Sequence, residues 1–388
     1  MDKRVYLLTI VSFVVGMAEL IIGGILDLVA NDLNVTIGRA GLLITIFSLT
    51  FAIAAPILLI FTEKVDRKKL MLISLCVFFL SNVLAISSIN FFMLFTSRIL
   101  SALSGSLLAV LCMTIAPTIV TRNHTGKAIG LVIMGTSASI VLGLPIGLFL
   151  GNLLGWRAPF VLIALLTILS MFGVQKFLGH IQAQPAVSIM TQIRTLKNRK
   201  ILFAQLTMFF YLTGHLTVYA FLTPFVKDIL GLSSTWTMIV YFIFGIAAVT
   251  GGGLGGNLSD KFGAKHIMIS VISIFAITLF ILPLSPKWLP LFFALLVIWG
   301  MMSWSITPAL QTYLINIAPE TSAIQQSINN SALHFGIAFG SFVGSMIVER
   351  SGVIYTPVAG GIFLLIALLA ATISIKSKIQ TARQIHSS

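Results

Sequence analysis

The sequence predicts an all-α membrane protein, with twelve transmembrane helices forming two pseudo-symmetric six-helix bundles. Three observations predict it. The 388 residues are 58% hydrophobic and 9% charged, against about 25% charged in a soluble globular domain. Twelve apolar runs each approach or exceed the ~20 residues that carry a helix across a bilayer. Glycine and loop patterns recur at matching places in the two halves of the chain. The length and continuity of the runs exclude barrel strands. Helices satisfy their own backbone polar groups where lipid offers no partner.

The runs fall at roughly 5–29, 41–62, 70–89, 91–120, 127–154, 158–178, 201–223, 234–258, 266–284, 288–316, 325–348 and 353–374. The stretch from Gly179 to Lys200 is the longest polar interruption and leaves six runs on either side. The expected organisation is an N-terminal bundle over 1–178, a cytoplasmic linker over 179–200, and a C-terminal bundle with a short cytoplasmic tail over 201–388. Lys3 and Arg4 imitate the start of a secretory signal. The run behind them is too long for one and has no clear cleavage site, so it reads as an uncleaved span. Cys76 and Cys112 lie in apolar runs, and no disulfide framework is expected.

The formal charge of +14 suggests nucleic acid until the basic residues are placed. With the N-terminus inside, 18 of the 24 Lys and Arg lie on the inner side, among them Arg122, Lys378 and Arg383. Five lie outside and Arg98 falls within a span. Such an asymmetry sets membrane orientation. The charge is therefore a topology signal. It places both termini in the cytoplasm and leaves lipid, not nucleic acid, as the expected macroscopic partner.

The halves echo each other. The loop after the second run reads TEKVDRKKL (62–70) and the loop after the eighth reads GNLSDKFGAKH (256–266). Each sets an acid before basic residues in a tight turn. Gly143, Gly147 and Gly151 stand four apart in the fifth run, and Gly336, Gly340 and Gly344 in the eleventh, the fifth of its half. This spacing lines one helix face and lets a neighbouring backbone approach closely. Ordinary membrane packing accounts for either set alone and poorly for their matching positions. Two repeated bundles are what an alternating-access carrier uses.

These residues resemble the major facilitator superfamily. Gly256-x-x-x-Asp260-Lys261-Phe262-Gly263-x-Lys265 is similar to the family's loop motif. The first-half copy is degraded, with Glu63 at the acid position, Asp66 at the later glycine and Leu59 at the first. The resemblance implies that Glu63, Arg67, Asp260, Lys261 and Lys265 latch the two halves on the inner side. Arg98 falls where the family has an intramembrane arginine, with Ala102 in place of the usual glycine. Gly135 and Gly143-Leu144-Pro145-Ile146-Gly147 look like the fifth-span motif of the drug:proton antiporter branch, which is associated with export. GWRAPF (155–160) and the segment around GHLTVYAFLTPF (214–225) fit the same branch. The stretches 18–32, 299–319 and 324–341 look similar to bacterial purine base and nucleoside efflux pumps, with Asp27 where that branch usually has proline. The resemblance implies a proton-coupled antiporter that exports small molecules by alternating access, acting as a monomer in the bacterial cytoplasmic membrane. Purine bases or nucleosides are the favoured cargo, and broad multidrug efflux is the alternative.

The chemistry centres on Glu19, an acid inside the first run. A carboxylate there costs at least ~2.5 kcal/mol on insertion scales, usually faces a cavity or a partner, and can carry a proton. It lies ~15 Å deep and Arg98 ~10 Å deep at 1.5 Å per residue, which permits contact. Either Glu19 takes up a proton whose arrival changes the favoured state, or it is a static polar group satisfied by neighbours. His215 lies at the matching place in the seventh run. An ordinary imidazole titrates near ~6.5, so this ring either joins the proton relay, donates to a solute or packs as a hydrogen-bonded core residue. Proton coupling is expected from Glu19, Arg98 and His215.

Gln311, Asn329, Asn330 and His334, with Trp304, Tyr313, Tyr211 and Tyr219, would suit a planar, hydrogen-bonding ligand in an apolar cavity. Aromatics in spans also pack or anchor at the interface. Asp27 reads as a solvated acid at the edge of its span. Glu63 and Asp260 are expected in the turns leading into the third and ninth spans, near the positive ends of the helix dipoles. No HExxH, GxSxG or GxxxxGK[ST] appears, which argues against a membrane enzyme. Six scattered histidines make no metal site, and no cofactor beyond a coupling proton is expected. A channel would want a continuous polar lining or a hydrophobic gate, and polar residues here are sparse.

Overall fold

A computed structural model describes residues 2–121, 124–182 and 194–377. Arg122, Lys378, Arg383 and the middle of the expected linker lie outside the described residues. Among the described residues there are twelve helical spans: α1 (Lys3–Gly24), α2 (Ile37–Phe61), α3 (Arg67–Ile86), α4 (Phe91–Ile119), α5 (Thr125–Leu154), α6 (Ala158–Phe177), α7 (Arg199–Tyr219), α8 (Ser234–Phe262), α9 (Ala264–Lys287), α10 (Leu289–Ile317), α11 (Ile324–Arg350) and α12 (Val353–Lys376). The all-α, twelve-span fold is as the sequence predicts.

Helix starts follow the capping rule that a short polar side chain accepts from the N–H groups of the first turn. Thr36 accepts from the Arg39 N–H, Asp66 from Lys69 and Asn90 from Met93, opening α2, α3 and α4. Asp2 does the same before α1. The Arg4 side chain and backbone N–H bound to it hold its carboxyl down at about 2.

Two helices, α1 and α7, end well before their apolar runs do. α1 stops at Gly24. Ile25 leaves helical geometry (φ −104°, ψ 19°) and a short helix follows at Leu26–Asp32. The Gly23-Gly24 pair makes this turn the weakest in the span, since glycine gives up the most backbone freedom in a helix. α7 stops at Tyr219 and is followed by a short turn at Leu222–Pro224 and a wide turn at Phe225–Ile229. Pro224 has no N–H, and its ring would clash with the Ala220 carbonyl in a continuous helix.

The chain divides into two compact units. One is Met1–Ala186 with Ala220–Gly245, the other Val187–Tyr219 with Ile246–Ser388. The stretch behind the break in α7 thus belongs with the first unit.

Within the first unit α1 lies against the small-residue face of α5. A Cβ at Gly143 would sit 3.3 Å from the Met17 Cβ, one at Gly151 2.9 Å from Ile25 Cγ2, and one at Gly147 would run into Ile21. Within the second unit α7 lies against α11 in the same manner. A Cβ at Gly336 would meet the Phe209 carbonyl oxygen at 2.5 Å, and one at Gly340 would stand 2.9 Å from the Thr213 Cα. Pro145 also leaves a mark on α5. The turn Ser139–Gly143 just before it is wide, with the Leu144 N–H reaching the Ser139 carbonyl. A π-turn of this kind absorbs the hydrogen bond and the space that proline denies an α-helix.

Candidate functional site

In the first unit, α1 and α4 bring Glu19 and Arg98 close enough to attract each other electrostatically. The similar depth of the two residues in the sequence is consistent with that attraction. Arg98 is 1% exposed, whereas Glu19 is only half-buried. The guanidinium donates from Nη1 to the carbonyl of Ala18, next to Glu19, at 2.8 Å. Its plane lies over Phe47, with Cζ 4.1 Å from the ring centroid. Its Nε and Nη2 groups make no hydrogen bond to any described residue. A buried cation held this way needs a counter-charge, because losing one partner of a buried pair leaves an uncompensated charge. Glu19 is that counter-charge when ionised, and a proton on Glu19 removes it.

The far end of α1 is held by a different set of contacts. Gly23 and Gly24 are among the last carbonyls of the helix, which have no partner within it. The Thr223 hydroxyl donates to Gly23 O at 2.9 Å and lies 3.1 Å from Gly24 O. The Tyr241 hydroxyl donates to Gly23 O at 3.3 Å. Asp27 is not a solvated edge acid. It pairs with Lys227 at 2.6 Å, and the two side chains are 19% and 20% exposed. Burial pushes the carboxyl of neighbouring Asp228 up. The charge of Asp27 adds to that, and Lys227 opposes it.

In the second unit, His215 sits in an aromatic box. The indole N–H of Trp299 donates to His215 Nδ1 at 3.0 Å. Tyr219 stacks on the imidazole at 5.1 Å and 26°, Trp299 meets it edge-on at 6.0 Å, and Phe275 leans on it at 5.9 Å. Sequence reasoning missed Trp299 and Phe275 here. The available signal was that a buried tryptophan N–H usually needs an acceptor.

Other expected ligand residues already bond inside the protein. The Tyr211 hydroxyl donates to Met302 O at 2.7 Å. The Tyr313 hydroxyl lies 3.1 Å from Ser374 Oγ, which donates in turn to Lys200 O. Asn329 Nδ2 donates to Gln205 Oε1 at 3.0 Å, and Gln205 Nε2 donates to the backbone and side-chain oxygens of Gln325. Gln205 was not anticipated. Tyr219 and His334 are buried, Trp304 and Gln311 half-buried, and Asn330 exposed.

The loop residues meet the expectation in part. Glu63 lies exposed in the turn before α3, but the N-cap of that helix is Asp66. Asp66 is the N-cap of α3, accepts the Ile181 N–H at 3.0 Å and pairs with His180 at 2.8 Å. Burial works to raise the Asp66 carboxyl, but the Lys69 and Ile181 N–H groups win and bring it below the usual carboxylate range. Arg67 is 6% exposed, and its backbone N–H bonds to Ile181 O. Asp260 is not in a turn. α8 runs on to Phe262, so this acid rides the last turn of a helix and is exposed there. Gly263 alone, at φ +86°, separates α8 from α9, and a non-glycine residue would be strained at that angle. Lys261 and Lys265 are exposed. Gly135, Gly143 and Gly147 all line the face of α5 that receives α1. Among the described residues no group of three or more His, Cys, Asp and Glu gathers that could hold a metal.

A model of the Major Facilitator Superfamily matches residues 8–323 and 206–384. The chain is 34% identical over 375 residues to an uncharacterized MFS-type transporter, YbcL, of Bacillus subtilis (strain 168), covering 97% of this chain and 96% of that protein. It is 27% identical over 367 residues to a probable sugar efflux transporter of Helicobacter pylori (strain P12), covering 94% of this chain and 93% of that one. The crystal structure of a bacterial homolog to the human lysosomal transporter Spinster, inward-facing and unoccupied, has a TM-score of 0.78. At 16% identity over 98% of this chain and 100% of that one, the likeness is one of fold.

Proposed function

The chain belongs to the Major Facilitator Superfamily, as a multi-pass membrane transporter and not an enzyme, and from that premise we propose that it is a proton-coupled antiporter exporting small hydrogen-bonding solutes by alternating access. One observation carries the reading: a half-buried acid inside a span, Glu19, within electrostatic reach of a buried arginine whose Nε and Nη2 make no hydrogen bond to any described residue. Protonation of Glu19 cancels its attraction for Arg98. A state in which the pair is close is then less favoured, and a ligand or proton moves an equilibrium by its differential affinity for the two states. Proton coupling is assigned to Glu19 and Arg98. In this reading both termini face the cytoplasm of a bacterium, supported by the asymmetry of the basic residues, and the working unit is one chain.

Purine bases and nucleosides remain the first cargo reading, supported by the resemblance within α10 and α11. Trp304 and Gln311, half-buried, and Asn330, exposed, offer a flat face and two amides. Sugars are the second reading, favoured by the names of relatives such as the probable sugar efflux transporter of Helicobacter pylori. Multidrug export is the third. Asp260, Lys261 and Lys265, exposed at the junction of α8 and α9, are proposed to latch the cycle, and Asp260→Asn is expected to slow turnover more than it weakens binding.

The test uses purified protein in liposomes with an imposed pH gradient. Labelled hypoxanthine, arabinose and a hydrophobic cation are offered in turn. Saturable accumulation that a protonophore abolishes supports the reading, and the preferred solute chooses the cargo. Accumulation indifferent to the pH gradient removes the proton from the mechanism.

A further inference from the structure

We propose that Trp299 is a positioning residue that fixes His215 as a hydrogen-bond donor at Nε2, so that the ring selects acceptor groups and carries no proton of its own through the cycle. The assignment follows from the chemistry of the indole. Its Nε1–H is a donor only, with no lone pair to offer in return. It aims at His215 Nδ1 across 3.0 Å. A hydrogen on Nδ1 would set two donors against each other, so Nδ1 holds a lone pair. In a neutral imidazole the other nitrogen then carries the hydrogen. The tautomer is thus read from a donor that has no alternative role.

The surroundings hold the ring in that pose. Trp299 is 0% and His215 6% exposed. Tyr219 stacks on one face from the same helix, while Phe275 of α9 and Trp299 of α10 close on the ring at 5.9 and 6.0 Å. Tyr219 also meets Trp299 edge-on at 6.2 Å, which ties the indole to the same cluster. Turning the imidazole over would put a C–H where Nδ1 accepts the indole hydrogen and so break that bond.

Two consequences follow. Whatever faces Nε2 must accept a hydrogen bond, which for a solute means a carbonyl, a hydroxyl or a bare ring nitrogen. And His215 gains a second proton only by losing the Trp299 bond. This rests on the transporter reading above and refines it: coupling belongs to the acid of α1, and recognition to the ring of α7.

The first measurement is nitrogen NMR on the purified full-length protein with labelled histidine, near neutral pH. His215→Gln identifies the signal among six histidines. The expected spectrum is a neutral ring with hydrogen on Nε2 alone. Trp299→Phe, which keeps an apolar ring without the donor, is expected to populate both tautomers. An Nδ1–H ring or a doubly protonated ring in the parent protein overturns the proposal, as does an unchanged tautomer in Trp299→Phe. This arm needs no solute, so it decides the proposal even if the transport reading fails.

The second measurement is hypoxanthine exchange and pH-driven accumulation in liposomes. Trp299→Phe is expected to raise KM about fivefold, the worth of one hydrogen bond, with gradient coupling retained. Loss of coupling at unchanged KM would make His215 a proton carrier and sink the proposal. Absence of any hypoxanthine exchange in the parent protein, with the tautomer as expected, counts against the purine reading alone.

Discussion

α1 and α7, the first helices of the two halves, share a frame and differ in chemistry. Glu19 stands sixteen residues after Lys3, and His215 sixteen residues after Arg199, at the first residues of their helices. Each helix breaks shortly afterwards and resumes as a short segment. Each lies against glycines spaced four apart, on α5 and α11 respectively. At the equivalent position, however, α1 has a half-buried acid beside a buried cation, and α7 has an imidazole enclosed by aromatic rings. The difference teaches that the repeat duplicates geometry without duplicating the site. A duplicated backbone gives a carrier two matched halves, and on the function proposed above the divergence of single side chains gives those halves separate tasks.

The largest expected effect tests that division of tasks. Glu19→Gln keeps size and hydrogen bonding and removes the charge. Accumulation driven by a pH gradient is expected to fall to the passive leak, while the thermal midpoint of the purified protein changes little. His215→Gln is expected to keep gradient coupling and to bind solute roughly tenfold more weakly, as for loss of a hydrogen bond at the upper end of the usual range. The opposite pattern in the two variants would assign the coupling to α7.

The shared frame predicts the next effect. Gly147→Leu in α5 and Gly340→Leu in α11 should both destabilise the protein, since overpacking costs about 1–3 kcal/mol and more where backbone is struck. Gly126→Ala is the control, because nothing lies within 4 Å of a Cβ there. Thermal unfolding in detergent reads all three. Tolerance of one leucine and not the other would mean that the matched spacing hides two different interfaces.

A smaller effect belongs to α7 alone. Asn329→Ala removes the donor that reaches Gln205 Oε1 from α11. Hydrogen bonds between membrane helices average about 0.6 kcal/mol and reach about 1.7. A modest drop in thermal midpoint is therefore expected. A larger loss of transport than of stability would instead give Asn329 a ligand role.

The frame was legible in the sequence and most of the bonding was not. Hydropathy and fourfold glycine spacing are properties of a linear string, so the twelve spans and the faces of α5 and α11 could be read directly. The break in α1 could not, because membrane helices tolerate a Gly-Gly pair. What receives the freed carbonyls is Thr223 and Tyr241, some 200 residues away. The break in α7 had a local sign in Pro224. Tyr211, Tyr313 and Asn329 looked available to a solute because residue type reveals a polar group but not its partner. Asp66 was the readable miss. An aspartate three residues before Lys69, at the start of an apolar run, is an N-cap signature, and weight on the family's loop pattern drew attention to Glu63 instead.

The smallest effect concerns how the segment behind the α1 break is pinned. Asp32, the last residue of the short helix, accepts the Trp156 Nε1–H at 2.8 Å and the Arg157 Nη1–H at 2.9 Å. Arg157 also donates to Ser88 O at 2.7 Å. The Trp156 bond first, and then Arg157, hold the Asp32 carboxyl below its ordinary value. A lowered carboxyl favours the folded state above its unfolded-state value, and that contribution fades as pH falls through the folded one. The pair is 37% and 46% exposed, so solvent weakens it and the effect is small. Asp32→Asn should therefore lower the thermal midpoint slightly near neutral pH and flatten its decline in acid. The Asp27–Lys227 pair pins the same segment with side chains about half as exposed, so Lys227→Met should cost more at neutral pH than Asp32→Asn. Equal effects from the two variants would mean that burial does not set the strength of these anchors.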